Sequence, residues 1–209
     1  KFGGITAIVG AIASRLLNPL QRAEEIIDRI LNKGDDAEAN AEEFGTTPGK
    51  LLRLQAVAQA KGVDAETLRQ FLSKFQSAVA IEKDTQDAPK RFQEQLDKAT
   101  DPDERRILQA QFDQADQKAK QGGLLKEFLD ESDMADAFFK FIQSIQKLEK
   151  SQQTVIQNQI FGERIRGKGA EFFNAKPEEL ANILSKLPTT EALGEAAQKT
   201  GGLADMRDL

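Results

Sequence analysis

The chain has 209 residues, of which 39% are apolar and 30% are charged, and its net charge is −5. It contains no Cys and no His, which excludes disulfide bonds and thiolate chemistry and removes the commonest general base and imidazole metal ligand. We therefore predict that the chain is not an enzyme, has no catalytic residue and binds no cofactor or metal. Its 13 aromatic residues are all Phe, which favours packing over ligand recognition.

Residues 1–34 form the first predicted segment, with apolar helices over 5–17 and from Pro19 to about Asn32. The apolar run 5–13 is too short to cross a bilayer, which takes about 20 residues. Its small residues Ala7, Gly10 and Ala11 allow helices to approach closely, so packing in a helical bundle is favoured over lipid contact. Because the chain begins at Lys1 rather than Met, we expect it to be a fragment, a processed product or the ordered part of a longer protein.

The second segment, residues 35–80, begins with an acidic stretch over 35–43 that we predict to be a loop. A helical hairpin with helices over 48–61 and 65–80 follows, and Thr47 and Asp64 are the expected N-caps. Apolar residues in the second helix recur every three or four positions and form one stripe. We predict that this stripe contacts a partner protein or another helix; it consists of Leu68, Phe71, Leu72, Phe75 and Val79.

The third segment, residues 81–131, has few apolar residues and is predicted to form polar spacer helices. The run Asp87-Ala88-Pro89 marks a break or a new helix start. Asp101 and Pro102 are typical of a helix N-terminus, and they open a solvent-exposed helix that we expect to reach about Gln121.

The fourth segment, residues 132–170, is predicted to contain one long helix over 132–160 and then a flexible basic turn. Alternating steps of three and four residues predict a coiled-coil-like seam of Phe138, Phe141, Ile145, Leu148, Gln152, Val155 and Gln159. We expect the apolar members of the seam to mediate self-association. The alternative is that this helix packs on its own chain.

The fifth segment, residues 171–209, is predicted to contain two short helices, over 177–187 and 190–199. No stretch of the chain shows the alternation of a β-strand. The predicted fold class is therefore all-α, an elongated or modular helical bundle with a central helical hairpin and a long coiled-coil-like helix.

Three runs follow one another in the hairpin segment: Glu43-Phe44-Gly45, then Leu51-Leu52-Arg53-Leu54-Gln55-Ala56-Val57-Ala58, then Gly62-Val63-Asp64-Ala65-Glu66-Thr67-Leu68. This order resembles a run found in the tail tape-measure proteins of bacteriophages. The run Phe161-Gly162-Glu163-Arg164 is similar to an element that follows a long helix in the same family. The resemblance covers about residues 40–80 and, more loosely, residues 130–170.

This resemblance implies a structural virion component that sets tail length, occupies the lumen of the tail tube and is released during genome ejection. It also implies self-association, of which a trimer is one form, and contact with tail-tube and tail-tip or baseplate proteins. The implied location is the phage tail, with delivery into the host envelope on infection. No small-molecule substrate is implied.

Other functions stay open at this point. A helical scaffold or adaptor, or a secreted helical effector that binds a protein partner, is the main alternative. A muramidase with Glu131 as its catalytic acid is another, although the sequence lacks the Gly-rich and aromatic elements of a sugar cleft. Contact of the basic turn around Arg164 with nucleic acid, or of residues 5–13 with lipid, is less well supported.

Overall fold

The computed structural model describes residues 35–195 and residue 198, and all regular structure in these residues is helical. The predicted all-α class is confirmed, whereas the helices predicted over 5–17 and 19–32 and the end of the last one lie outside the described residues. The elements are α1 (Asp35–Glu43), α2 (Pro48–Ala60), α3 (Ala65–Lys98), α4 (Pro102–Lys120), a 3₁₀ helix (Leu124–Phe128), α5 (Met134–Ile145), α6 (Lys150–Phe161), α7 (Glu163–Lys168), α8 (Ala170–Phe173) and α9 (Pro177–Lys186), and a further helical segment begins at residue 190.

The turns of the predicted hairpin form as the sequence indicates. Thr47 Oγ1 accepts a hydrogen bond from the Lys50 amide at 3.4 Å, and Asp64 Oδ1 accepts one from the Thr67 amide at 2.7 Å. Gly62 lies between α2 and α3 with φ of +78°, a conformation that residues with a Cβ rarely adopt. The N-caps predicted at Thr47 and Asp64 are therefore confirmed.

The acidic stretch is a helix, so the loop predicted over 35–43 is wrong. Alanine has the highest helix propensity, and it occupies positions 37, 39 and 41 of this stretch. Ala41 is 1% exposed and Phe44, directly after the helix, is 2% exposed. Burial of these two residues fixes α1 against the hairpin, a contact that local charge density does not reveal.

One apolar core joins α2 and the first half of α3 to α5, α6, α8 and α9. It is dominated by a network of eight Phe rings, most of them edge to face, whose centroids are 4.9 to 6.5 Å apart. Edge-to-face pairs bring the positive rim of one ring against the negative face of another. The rings belong to Phe71, Phe75, Phe128, Phe138, Phe141, Phe161, Phe172 and Phe173.

Helix α3 continues beyond the end predicted at residue 80 and reaches Lys98, so that the whole helix has 34 residues and is about 51 Å long. The break predicted at Pro89 is wrong, because this proline lies inside the helix. A proline removes one backbone hydrogen bond and crowds the preceding turn. Here Arg91 spans that turn: its guanidinium donates to the Asp84 carbonyl at 3.2 Å and pairs with the Asp84 carboxylate at 2.7 Å.

The outer half of α3 and all of α4 form an antiparallel helical hairpin, residues 82–120, which we call the arm. Gln86 Nε2 on α3 donates to the Ala119 carbonyl on α4 at 3.0 Å. The expected start of α4 is confirmed, since Asp101 Oδ1 accepts from the amides of Asp103 and Glu104. Of the arm's residues, Leu96, Ala115 and Ala119 are buried.

The long helix predicted over 132–160 is wrong, because residues 146–149 separate α5 from α6. Glu149 is the N-cap of α6, with a capping box in which the Gln152 side chain accepts from the Glu149 amide. Gln146 Nε2 donates to the Ala175 carbonyl at 2.6 Å, which ties the turn to the end of α8. The basic turn after it, predicted to be flexible, consists of the short helices α7 and α8.

Candidate functional site

Most of the predicted contact residues lie in the core of their own chain. The predicted stripe on α3 and the predicted seam on α5 both contain side chains that are at most 1% exposed. They are Leu68, Phe71, Leu72 and Phe75 on α3, and Phe138, Phe141 and Ile145 on α5. In this conformation they contact residues of the same molecule, and a partner could reach them only if the core opened.

The other predicted contact residues are more accessible. Val79 and Leu148 are half-buried, and Val155 is 55% exposed on α6. Gln152 and Gln159, the polar members of the predicted seam, are also exposed on this helix. The seam is thus divided by the turn after α5, with its first half in the core and its second half facing solvent.

A cluster of polar side chains joins the N-terminus of α2 to that of α5. Asp133 accepts hydrogen bonds from Thr46 Oγ1 at 2.9 Å, from Lys50 Nζ at 3.1 Å and from the Asp136 amide at 3.1 Å. Lys50 also donates to Asp136 Oδ2 at 2.7 Å. Asp133 is therefore both the N-cap of α5 and the point where the preceding α1–α2 turn is attached.

Electrostatics favours the charged forms of Lys50 and Asp133. The hydrogen bond that Lys50 donates to Asp136 raises the pKa of the Lys50 ammonium, although partial burial acts in the opposite direction. Burial also acts to raise the pKa of Asp133, but hydrogen bonds from the Asp136 amide, Thr46 and Lys50 outweigh it and hold that pKa below its usual value. A general acid or base needs a pKa near the working pH, so this arrangement suits an ionic tie between helices.

A shallow groove of about 180 Å³ lies beside this cluster, between α2, α5 and the end of α9. Its residues are Lys50, Arg53, Leu54, Ala135, Asp136, Phe139, Leu184 and Thr190. The Arg53 guanidinium donates to the Leu184 carbonyl at 2.9 Å and to Thr190 Oγ1 at 3.4 Å, so it ties the C-terminal helices to α2. Pockets for small molecules usually span about 300–1,000 Å³, so this groove is too small for a typical ligand.

Glu131, the acid of the muramidase alternative, lies before α5 and pairs with Lys140. The described residues contain no group of three or more acidic side chains arranged to hold a metal ion. Over the same part of the chain, no helix combines the length and the apolar character needed to cross a bilayer.

The arm is the surface that sequence reasoning missed. Its helices meet through heptad-spaced positions, at 85, 89, 92 and 96 on α3 and at 108, 112, 115 and 119 on α4. That spacing was the available signal, but the low apolar density of the segment concealed it. Two large apolar side chains project from α3 and α4 into solvent, Ile81 at 68% exposure and Ile107 at 59%.

Comparison with known proteins found no match among family models, curated proteins or solved structures. The likeness to tape-measure proteins therefore rests on the hairpin runs and on the Phe161-Gly162 run alone.

Proposed function

We propose that this chain is a folded helical module of a phage tail tape-measure protein. In this role it is a structural part of the virion that helps to set tail length, occupies the lumen of the tail tube and leaves the tube during genome ejection. Its partners are then other copies of itself and the proteins of the tail tube and the tail tip or baseplate.

The observation that carries the proposal is that the resembling runs form one structural unit. Phe44 and Val63 are at most 2% exposed, and Gly45 and Gly62 have φ of +58° and +78°. Positions of this kind are set by packing and by backbone conformation, so a similar run in another chain is expected to build the same hairpin. The likeness is thus one of a folding unit, which a helical virion component could share.

The run Phe161-Gly162-Glu163-Arg164 also combines a buried Phe with a Gly at positive φ. Phe161 is 2% exposed at the end of α6, and Gly162 has φ of +75° where the chain turns into α7. A large apolar side chain followed by a residue that tolerates positive φ is what a buried helix end requires. This supports a common framework over residues 130–170 as well.

The arm also suits a mechanical role. An α-helix rises about 1.5 Å per residue, so the part of α3 beyond residue 82 adds about 25 Å of stiff structure. Such an extension converts a number of residues into a distance, which is what a length determinant requires.

The experiment that tests the proposal is to locate the chain in assembled particles of the virus whose genome encodes it. We expect density or a tag on residues 35–195 along the axis of the tail tube before ejection, and its loss from the tube afterwards. An in-frame duplication of the segment should lengthen the tail. Assembled tails of unchanged length, or a tag found on the outer surface, would contradict the proposal.

A helical adaptor is the second candidate, and the arm is the observation in its favour. A two-helix extension that carries exposed Ile107, with exposed Ile81 at its base, can present a surface to a partner without disturbing the core. The parent gene separates the two functions: a gene several times longer, with the same helical texture throughout, favours the tape measure.

A further inference from the structure

The heptad spacing of the fourth segment stays in register across the turn that the structure places between α5 and α6. Seam positions on α5 are Phe138, Phe141 and Ile145, and those on α6 are Gln152, Val155 and Gln159, with Leu148 in the turn between them. The steps alternate between three and four residues throughout. On α6 Val155 is the apolar member of the seam, and Gln152 and Gln159 are polar residues of the kind that weaken a coiled-coil seam but help to fix its register.

The residues of this turn are compatible with a helix. Positions 146–149 are Gln, Lys, Leu and Glu, all good helix formers, with no Gly or Pro. The turn is instead held by three side-chain hydrogen bonds, one of which caps the start of α6. Gln146 donates to the Ala175 carbonyl, Gln153 Nε2 donates to the Leu148 carbonyl at 2.8 Å, and Gln152 accepts from the Glu149 amide.

The residues that flank the seam suit a second copy of the same helix. On one side are Ala137, Ser144, Ser151 and Asn158, which are small or uncharged. The lysines of this stretch, at 140, 147 and 150, occupy heptad positions away from the seam. Identical chains that meet here would therefore bring few like charges together, and the half of the seam on α6 is already exposed.

From these observations we infer that the segment has two states. In the folded-back state described above, α5 contributes its seam residues to the Phe core. In the extended state, the turn at 146–149 becomes helical, α5 and α6 join into one helix from 134 to 161, and the complete seam pairs with another copy of this chain. Self-association compensates for removing Phe138, Phe141 and Ile145 from the core, so the extended state becomes more populated as the concentration rises.

A proline at position 150 separates the two states. Lys150 is the first residue of α6, where proline is favoured, and Glu149 before it has φ of −65° and ψ of 149°, the conformation that a following proline requires. In the extended helix the same proline removes the hydrogen bond to the Gln146 carbonyl and clashes with it. Lys150→Ala is the matched control, because it removes the same charge and permits both states.

The test is sedimentation equilibrium of the full 209-residue chain over a wide concentration range, with hydrogen exchange at residues 146–150. We expect wild type and Lys150→Ala to self-associate and to gain protection at these amides in the oligomer. Lys150→Pro should keep the monomer's thermal stability and weaken association by roughly a hundredfold per chain, the penalty of a proline inside a helix. Glu149→Ala, which removes the capping box, should strengthen association.

Two results would overturn the inference. One is a wild-type chain that stays monomeric at every concentration, and the other is a Lys150→Pro variant that associates as the wild type does. Neither result bears on where the chain lies in a virion, so failure here is distinguishable from failure of the proposed function.

Discussion

Helix α3 passes through two regions that are stabilised in different ways. In its first half Leu68, Phe71, Leu72 and Phe75 are at most 1% exposed and pack into the Phe network. In its second half, within the arm, Leu96 is the buried apolar residue, at 6% exposure. One continuous helix thus joins a well-packed core to an arm that is held by a narrow seam.

The two halves of α3 differ in what they contribute: the buried half contributes stability, and the exposed half offers a surface for partners. Burying a large apolar side chain contributes about 1.5–3 kcal/mol, so the core half of α3 supplies far more stability than the arm half. Regions with few buried apolar contacts open locally at lower cost, and surfaces that meet partners are commonly found there. The core therefore determines the fold, and surface residues of the arm can change with little loss of stability.

The largest expected effect comes from Phe75, whose ring lies 5.0 Å from Phe141 and 5.4 Å from Phe138. We expect Phe75→Ala to lower the free energy of unfolding by about 3–5 kcal/mol, because it leaves a cavity among close-packed rings. Phe92→Ala in the arm is the matched control, since Phe92 is half-buried and should cost less than half as much. Chemical denaturation measures both, and equal losses would contradict the division into core and arm.

Gly169 tests how closely the core is packed. A Cβ at this position would lie 2.4 and 2.6 Å from two atoms of the Phe71 ring, so either this ring or the backbone at position 169 must move. We expect Gly169→Ala to lower the free energy of unfolding by about 1–3 kcal/mol through overpacking. At Gly167, in α7, a Cβ would meet nothing within 4 Å. Gly167→Ala should therefore stabilise the chain slightly, and a loss of similar size at both positions would argue against overpacking.

Local signals predicted the helix boundaries that depend on short-range chemistry. The N-caps at Thr47, Asp64 and Asp101 and the turn at Gly62 were all evident from residue type and spacing. The boundaries that failed depend on distant contacts. Helix α3 continues through Pro89 with α4 packed along it, and no local rule indicates that α4 folds back in this way.

The turn between α5 and α6 failed for another reason, since two local signals competed. The heptad spacing favours one long helix, whereas the capping box of Glu149 and Gln152 favours a helix start at Lys150. The burial of the seam could not be predicted either, because an apolar stripe has the same spacing whether it packs on its own chain or on another. The substitutions Phe138→Asp and Ile145→Asp would consequently unfold the core as well as disturb any oligomer.

A smaller effect is expected at Asp133, which ties α5 to the α1–α2 turn. Asp133→Ala should lower the free energy of unfolding by about 0.5–2 kcal/mol, because the N-cap of α5 is lost. Asp133→Asn is the control that keeps a capping oxygen and removes the charge. Denaturation curves of the three proteins at pH 7 separate the contribution of the cap from that of the charge.

The pH dependence of the same residue has a defined sign. The folded pKa of Asp133 lies below the ordinary value of 3.8, so its charged form stabilises the fold above that pH. This contribution is lost as the pH falls through the lowered folded pKa. The difference in stability between wild type and Asp133→Asn should therefore be constant above about pH 5 and shrink below the ordinary value. A difference that grew on acidification would show that hydrogen bonding does not hold the carboxylate in its charged form.

The smallest effect is expected at Ile81, less than two turns after Phe75 on the same helix. Its side chain is 68% exposed, and surface substitutions of this kind usually change stability by no more than about 0.5 kcal/mol. Ile81→Gln should therefore leave the free energy of unfolding unchanged within that limit, as measured on dilute chain. Because both side chains project from one helix, the contrast with Phe75→Ala isolates packing from helix propensity. A loss above about 1 kcal/mol, growing with protein concentration, would mean that another copy covers the base of the arm in solution.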